Sequence, residues 1–92
     1  MDFYNTIFLV ANELDLFNVP YEIGECWDGW QLTFPWCDGD IACHSGTYGS
    51  EVGDVESFMF SWDKGDVTRL HPIKAAHKIV AEYVVTEVWG GV

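Results

Sequence analysis

The sequence predicts an α+β fold, in which an antiparallel sheet of four to five strands is flanked by an N-terminal and a C-terminal helix (α-β-β-β-β-α). Two stretches, one near each end of the 92-residue chain, have apolar residues at helical spacing, and the stretch between them alternates apolar and polar residues. A period of 3.6 residues is typical of an amphipathic helix, and a period of two is typical of a strand with one buried face. We expect both helices to cover the same face of the sheet.

The first helix is predicted over residues 2–17. Asp2 is placed to cap its start, and Asn18 followed by Pro20 favours its end. Its apolar residues share one helical face, and they are Tyr4, Ile7, Phe8, Ala11 and Leu14.

The best strand pattern lies in the middle of the chain, and Pro35 marks either a sheet edge or the end of this strand. A preceding strand is predicted over Tyr21–Cys26, with a turn at Asp28-Gly29, and a shorter strand follows over Asp40–His44. The alternating residues, which we expect to be buried beneath the helices, are Trp30, Leu32, Phe34 and Trp36.

A later strand is predicted where Phe58, Phe60 and Trp62 alternate with polar or flexible residues. Residues 45–54, rich in glycine, serine and acids, predict a loop before it. Residues 34–41 and 60–67 also form a weak internal repeat, in which each copy ends a strand, turns at a glycine and begins another strand.

The last helix is predicted to start at Pro72, since proline suits the first helical position, and to end at Gly90-Gly91. Its apolar stripe is predicted to contain Ile73, Ala76, Val80, Tyr83 or Val84, and Val88. Together the elements predict one domain over residues 1–92, which is within the usual size of an independent core.

Charge is the most unusual property of the chain, since 15 acidic residues face four basic ones and the net charge is −11. Residues 1–63 contain twelve acids and no lysine or arginine. Direct binding of nucleic acid is disfavoured, because phosphates would be repelled. The start has no positively charged segment before an apolar run, and no apolar stretch is long enough to cross a membrane. With three widely spaced cysteines, these features predict a cytoplasmic protein with no membrane partner.

Metal binding and catalysis are both disfavoured, so no cofactor is predicted. Cys26, Cys37 and Cys43 lack the paired spacing of a structural zinc site. Cys43 and His44 are adjacent on a predicted strand and point to opposite faces, which disfavours a nucleophile–base pair. Acids near the predicted turns have an ordinary explanation as turn residues, and no twelve-residue calcium loop is present. These acids are Asp38, Asp40, Asp63 and Asp66.

The acidity itself favours a protein partner with a basic, nucleic-acid-binding surface, and the alternative is an acidic housekeeping or scaffolding protein. The net charge exceeds the magnitude of about 2 to 8 that suffices for solubility, and it matches the phosphates of about 19 Å of duplex DNA. Because loop carboxylates are expected to be ionised and reachable, we predict that they meet this partner together with exposed aromatic side chains. The predicted partner-binding residues are Asp38, Asp40, Glu51, Asp54, Glu56, Asp63, Trp27 and Tyr48.

The segments 27–32, 34–36, 38–40 and 44–46 resemble small acidic proteins from phages and mobile elements of Gram-positive bacteria. In size and charge the chain is also similar to anti-CRISPR proteins. This resemblance implies an inhibitor, a monomer or small homo-oligomer, that acts in a bacterial host cell and blocks the DNA-binding surface of a defence nuclease or CRISPR-Cas complex (a Cas nuclease or Cascade). DNA mimicry is one way in which it would do so. The alternative is an acidic accessory domain of phage or host that binds another protein without competing with nucleic acid.

Overall fold

A computed structural model describes residues 3–90 of the chain. Among these residues a five-stranded antiparallel sheet lies between two α-helices in the sequence, which confirms the predicted α+β class. The elements are α1 (Thr6–Leu16), β1 (Glu22–Cys26), β2 (Gly29–Thr33), β3 (Asp40–Cys43), β4 (Val55–Phe58), β5 (Thr68–Leu70) and α2 (Pro72–Tyr83).

The sheet is a simple meander, in which each strand pairs with the next along the chain. Leu32 pairs with Ile41, Ile41 pairs with Ser57, and Val55 pairs with Leu70. Because side chains alternate along a strand, these residues share one face. The opposite face carries Gln31, Asp40, Ala42, Glu56 and Arg69. The chain therefore separates an apolar face from a mostly polar one.

Both helices pack on the apolar face, as predicted. The shared core contains Ile7 and Leu14 from α1, Ile79 from α2, and strand residues such as Leu32 and Ile41, all fully buried. Helix α1 contacts β2, β3 and α2, while α2 also contacts β4. Burying a side chain of this size stabilises the folded state by about 1.5–3 kcal/mol, so this one layer of side chains joins the helices to the sheet.

Helix α1 ends where the sequence predicts, and its start lies later. A short 3-10 turn spans Phe3–Asn5, so the α-helix begins at Thr6; the predicted cap Asp2 lies outside the described residues. At the other end Asn18 is left-handed (φ 57°). Its N–H donates to the Asp15 carbonyl (3.2 Å), and the N–H of Val19 donates to the Leu14 carbonyl (3.0 Å). This is the Schellman arrangement, in which asparagine takes the position usually held by glycine.

Helix α2 begins with Pro72 in its first turn, as predicted, and His71 caps it by accepting the Ile73 N–H at Nδ1 (3.2 Å). The predicted apolar stripe is only partly right, since Val80 and Tyr83 are half-buried while Val88 is exposed. A wide π-type turn over Val84–Trp89 follows α2 and buries none of its side chains. Gly91, half of the predicted stop, lies outside the described residues. The residues of α2 that are buried are Pro72, Ala75, Ala76 and Ile79.

The aromatic residues beyond two of the strands correct the predicted strand bounds. Strand β2 ends at Thr33 and β4 ends at Phe58, so the aromatic residues that follow lie in connections rather than in strands. They nevertheless pack on the core, as the alternation predicted. We call this region the aromatic end of the sheet, and its residues are Phe34, Trp36, Phe60, Trp62 and Tyr83.

The two copies of the internal repeat meet at the aromatic end. The rings of Phe34 and Phe60 are in edge contact, with centroids 5.7 Å apart. Each copy follows the end of a strand, as predicted, and each leads into another strand, β3 or β5. Gly39 of the first copy approaches the Phe60 ring so closely that a Cβ atom there would lie 2.7 Å from it. The repeat thus contributes two connections that close one end of the core.

Candidate protein-binding site

The structure divides the predicted partner-binding residues between opposite ends of the sheet. Asp38, Asp40 and Asp63 lie at or near the aromatic end, where β2 leads into β3 and β4 leads into β5. The opposite end consists of the β1–β2 turn and the loop of residues 44–54, and we call it the loop end. The predicted residues found there are Trp27, Tyr48, Glu51, Asp54 and, at the adjoining position of β4, Glu56.

Trp27 occupies an unusual position in the tight β1–β2 turn. Cys26 pairs with Gly29, so only Trp27 and Asp28 form the turn. Trp27 is left-handed (φ 58°) and 80% exposed. Glycine is the preferred residue for such a backbone, and a bulky residue there is strained. One face of the indole stacks on His44, with centroids 4.8 Å apart and ring planes 26° apart. The turn therefore presents a large aromatic side chain in a fixed orientation.

The loop of residues 44–54 is held by its own polar groups and by the β1–β2 turn. The N–H of His44 donates to Thr47 Oγ1 (3.0 Å), and the Thr47 hydroxyl donates back to the His44 carbonyl (2.9 Å). Gly46 N–H donates to His44 Nδ1 (3.0 Å), and Ser45 N–H donates to Asp28 Oδ1 (2.9 Å). The bonds from Ser45 are the main cause of the lowered pKa of Asp28. This predicted loop is thus well ordered, and Asp28 is ionised at neutral pH.

Arg69 of β5 lies among the predicted acids of the loop end. Its Nε donates to Asp54 Oδ2 (2.6 Å), Nη1 lies 3.9 Å from Glu51 Oε1, and the guanidinium lies 5.7 Å from the Tyr48 ring centre. Asp54 is the main cause of the raised pKa of Arg69. The Tyr48 N–H donates to Glu56 Oε2 (2.8 Å), so this carboxylate also has a structural contact. Arg69 of β5 therefore neutralises part of the predicted acidic surface.

A shallow groove lies beside this cluster, between the start of α1 and the β1–β2 turn. It has a volume of about 320 Å³. Glu25 and Asp28 are its acidic residues, and both are exposed. They are not among the predicted partner-binding residues, although both lie within two residues of Trp27 in the chain. The full lining is Asn5, Glu25, Trp27, Asp28, Gly29 and Trp30.

Asp63, at the other end, corrects one prediction. It is only 4% exposed, accepts the Ser57 hydroxyl at Oδ1 (2.7 Å), and accepts the Phe60 N–H at Oδ2 (3.0 Å). The expectation that this carboxylate is reachable was wrong, because the connection after β4 folds over it. Asp40 is half-buried, and its pKa is raised by burial and then by Glu56 and Asp63. Of the three predicted partner-binding acids at this end, only Asp38 is exposed.

The cysteines are free thiols, Cys26 and Cys37 half-buried and Cys43 buried. Burial is the main cause of the raised pKa of the Cys37 thiol. Cys43 accepts the Thr6 hydroxyl (3.7 Å) and donates to the Asp54 carbonyl (3.4 Å). Residues 3–90 contain no group of three or more histidine, cysteine or acidic side chains arranged to hold a metal ion. No helix in the described part of the chain has the length and apolar character needed to cross a membrane.

Comparisons with protein-family models, with curated proteins and with solved structures give no match to this chain. The resemblance to small acidic phage proteins and to anti-CRISPR proteins therefore stays a prediction.

Proposed function

We propose that the protein is a non-enzymatic inhibitor that binds the basic, nucleic-acid-binding surface of another protein through its loop end. A bacterial defence nuclease or a CRISPR-Cas complex is the class of target that we favour, with the inhibitor made by a phage or mobile element and acting in the cytoplasm of the host. In this role the acidic domain occupies the surface that DNA would otherwise bind.

The observation that carries the proposal is the grouping of exposed aromatic and acidic side chains at one end of the sheet. Trp27 is 80% exposed and Tyr48 is 65% exposed. Glu25, Asp28 and Glu51 lie beside them and are also exposed. Tryptophan and tyrosine are enriched among the residues that dominate binding energy in protein interfaces. Carboxylates around such anchors attract a basic partner and accelerate association.

The order of the loop end adds to this support. Hydrogen bonds fix the loop of residues 44–54, and Asp28 joins it to the turn that carries Trp27. A surface ordered before binding loses less conformational entropy when a partner docks. The net charge of −11 opposes binding to DNA itself, so competition for the partner is the mode of interference that fits.

The test is competition between this protein and DNA for a candidate Cas nuclease, measured at low and at high salt. The double variant Glu25→Lys, Glu51→Lys reverses two exposed charges at the loop end, and we expect it to weaken binding more than tenfold. Charge reversal converts attraction into repulsion, which costs several kcal/mol. Raising the salt concentration should weaken wild-type binding and reduce the difference between the two proteins.

The matched control is the double variant Asp38→Lys, Glu87→Lys, which changes the net charge equally but lies away from the loop end. We expect this control to lose much less affinity for the nuclease than the loop-end variant. Equal losses would contradict the assignment of the interface to the loop end. Simultaneous binding of this protein and DNA would contradict competition altogether.

The exposure of Trp27 and Tyr48 also favours a second candidate, an accessory domain that binds a protein through these aromatic anchors without competing with nucleic acid. The two candidates differ in their dependence on charge. Binding that survives the acid reversal and high salt, but is lost on Trp27→Ala, would favour the accessory domain.

A further inference from the structure

The loop end contains one site in which the chain binds its own guanidinium group. Arg69 lies over the Tyr48 ring (5.7 Å to its centre) and against the carboxylates of Asp54 (2.6 Å) and Glu51 (3.9 Å). A planar guanidinium can contact the ring and the carboxylates at the same time, because its face stacks on the aromatic ring while its N–H groups donate to the carboxylates. One aromatic ring with two carboxylates is therefore a combination that this fold uses to hold arginine.

The groove beside the β1–β2 turn presents the same combination outward. Trp27 provides the aromatic face, and Glu25 and Asp28 provide the carboxylates. Trp30 forms part of the wall and is held in edge contact with Phe8 (5.0 Å). Asn5 adds an exposed amide, and its side chain makes no capping hydrogen bond to α1. None of the residues that line the groove is basic.

We propose that this groove binds an arginine side chain of a protein partner, with the guanidinium on the free face of Trp27 and between Glu25 and Asp28. The inference rests on the proposed function in that the partner has a basic surface, and it adds the residue by which that surface is recognised. The groove has a volume of about 320 Å³, which is at the lower end of the range for ligand pockets. This volume suits a single long side chain rather than a folded segment.

The backbone and the charge of the turn both support this role. Trp27 keeps a left-handed conformation that glycine would adopt without strain, so the fold alone does not explain a tryptophan here. The stack on His44 fixes one face of the indole and leaves the other in solvent. The Ser45 N–H holds the Asp28 carboxylate in place (2.9 Å). The groove thus has a fixed aromatic wall and a fixed negative charge before any ligand arrives.

A direct binding experiment tests the groove without the partner. The ¹⁵N-labelled protein is titrated with N-acetyl-arginine amide and followed by NMR. We expect saturable shifts at the Trp27 indole N–H and at the Asp28 and Gly29 amides. The uncharged analogue N-acetyl-citrulline amide has nearly the same shape and should shift none of them. Trp27→Ala should weaken arginine binding about tenfold, because the cation–π contact is lost.

Glu25→Gln tests the carboxylate and should weaken binding several-fold. Its matched control is Glu22→Gln on the same strand, at the far end from the groove, which should not change binding. Equal shifts with the citrulline analogue, equal effects of the two glutamate changes, or no shift at the three named groups would each overturn the inference. Each variant is compared with wild type by its full amide spectrum, so that loss of folding is recognised as such.

Failure of this inference and failure of the proposed function give different results. If arginine occupies the groove but the protein does not compete with DNA for a nuclease, the proposed function fails and the arginine site stands. If competition is observed while the groove does not bind arginine, the arginine site fails and the proposed function stands.

Discussion

At the aromatic end, Phe60 and Trp62 stack with centroids 4.4 Å apart and nearly parallel planes, and the Asp63 carboxylate is buried beneath the same connection. At the loop end, by contrast, Trp27 projects into solvent and Asp28 is exposed beside it. Both regions place a tryptophan next to an aspartate in the chain. The Trp62–Asp63 pair packs against the core, whereas the Trp27–Asp28 pair is exposed to solvent.

The difference lies in which backbone and side-chain groups surround each carboxylate. Asp63 accepts a hydroxyl and an N–H from the strand and turn that precede it, so its burial is compensated. Asp28 also accepts an N–H, from Ser45, but both residues of the two-residue turn that carries it are exposed. Equivalent residue types therefore stabilise the fold at one end and remain exposed to solvent at the other.

The largest effect that would test this difference is a loss of stability caused by a substitution at the aromatic end. Phe60→Ala should lower the free energy of unfolding by about 3–5 kcal/mol, because Phe60 is buried and contacts both Phe34 and Trp62. Urea unfolding followed by circular dichroism measures the change.

The control is Trp27→Gly at the loop end. Glycine relieves the backbone strain of the left-handed conformation, and this offsets the loss of the ring stack on His44. We therefore expect the free energy of unfolding to change by no more than about 1 kcal/mol. A comparable loss of stability in both variants would contradict the division of the molecule into a core end and a surface end.

The next effect concerns the buried carboxylate. Asp63→Asn should destabilise the fold by about 1–3 kcal/mol, because an amide cannot accept both the Ser57 hydroxyl and the Phe60 N–H with its two terminal atoms. Asp38→Asn, at an exposed neighbouring site, is the control and should have little effect. If unfolding midpoints of the two variants coincide, Asp63 is not the structural residue that its contacts indicate.

The smallest effect concerns Asp40, whose pKa is raised by burial, with contributions from Glu56 and Asp63. The folded protein holds this proton to higher pH than the unfolded chain, whose pKa is near 3.8. Between 3.8 and the higher folded pKa the folded state binds more protons, so stability falls as the pH rises through this window. Asp40→Asn should therefore raise the melting temperature at neutral pH.

Below pH 3.8 Asp40 is protonated in both states, and the stabilising effect of Asp40→Asn should shrink. Melting curves at about pH 3 and about pH 7 measure the difference between variant and wild type. Stabilisation of the same size at both pH values would show that packing or hydrogen bonding gained by the amide, and not the removal of a charge, explains the change.

The sequence by itself determined the α+β class, the two helices and the approximate positions of most strands, because periodicity records which side chains face a core. It also located the end of α1, since Asn18 accepts a left-handed backbone at low cost and Pro20 cannot extend a helix. The alternating pattern made two predicted strands too long, because it continues through residues 34–36 and 60–62, which lie in connections. A buried aromatic residue that alternates with polar ones has the same pattern in a strand and in a connection that closes the core.

Only the tertiary structure decided which acids are on the surface and which of them lie together. Asp63 and Asp38 both occur near glycine turns and look alike in the sequence, yet one is buried by long-range contacts. Arg69 meets Asp54 and Glu51 because β4 and β5 pair, at a separation of at least 15 residues in the chain. The groove joins Asn5 to the β1–β2 turn through the packing of α1 on the sheet. Charge and turn chemistry are local properties, whereas the surface they form depends on which distant segments pack together.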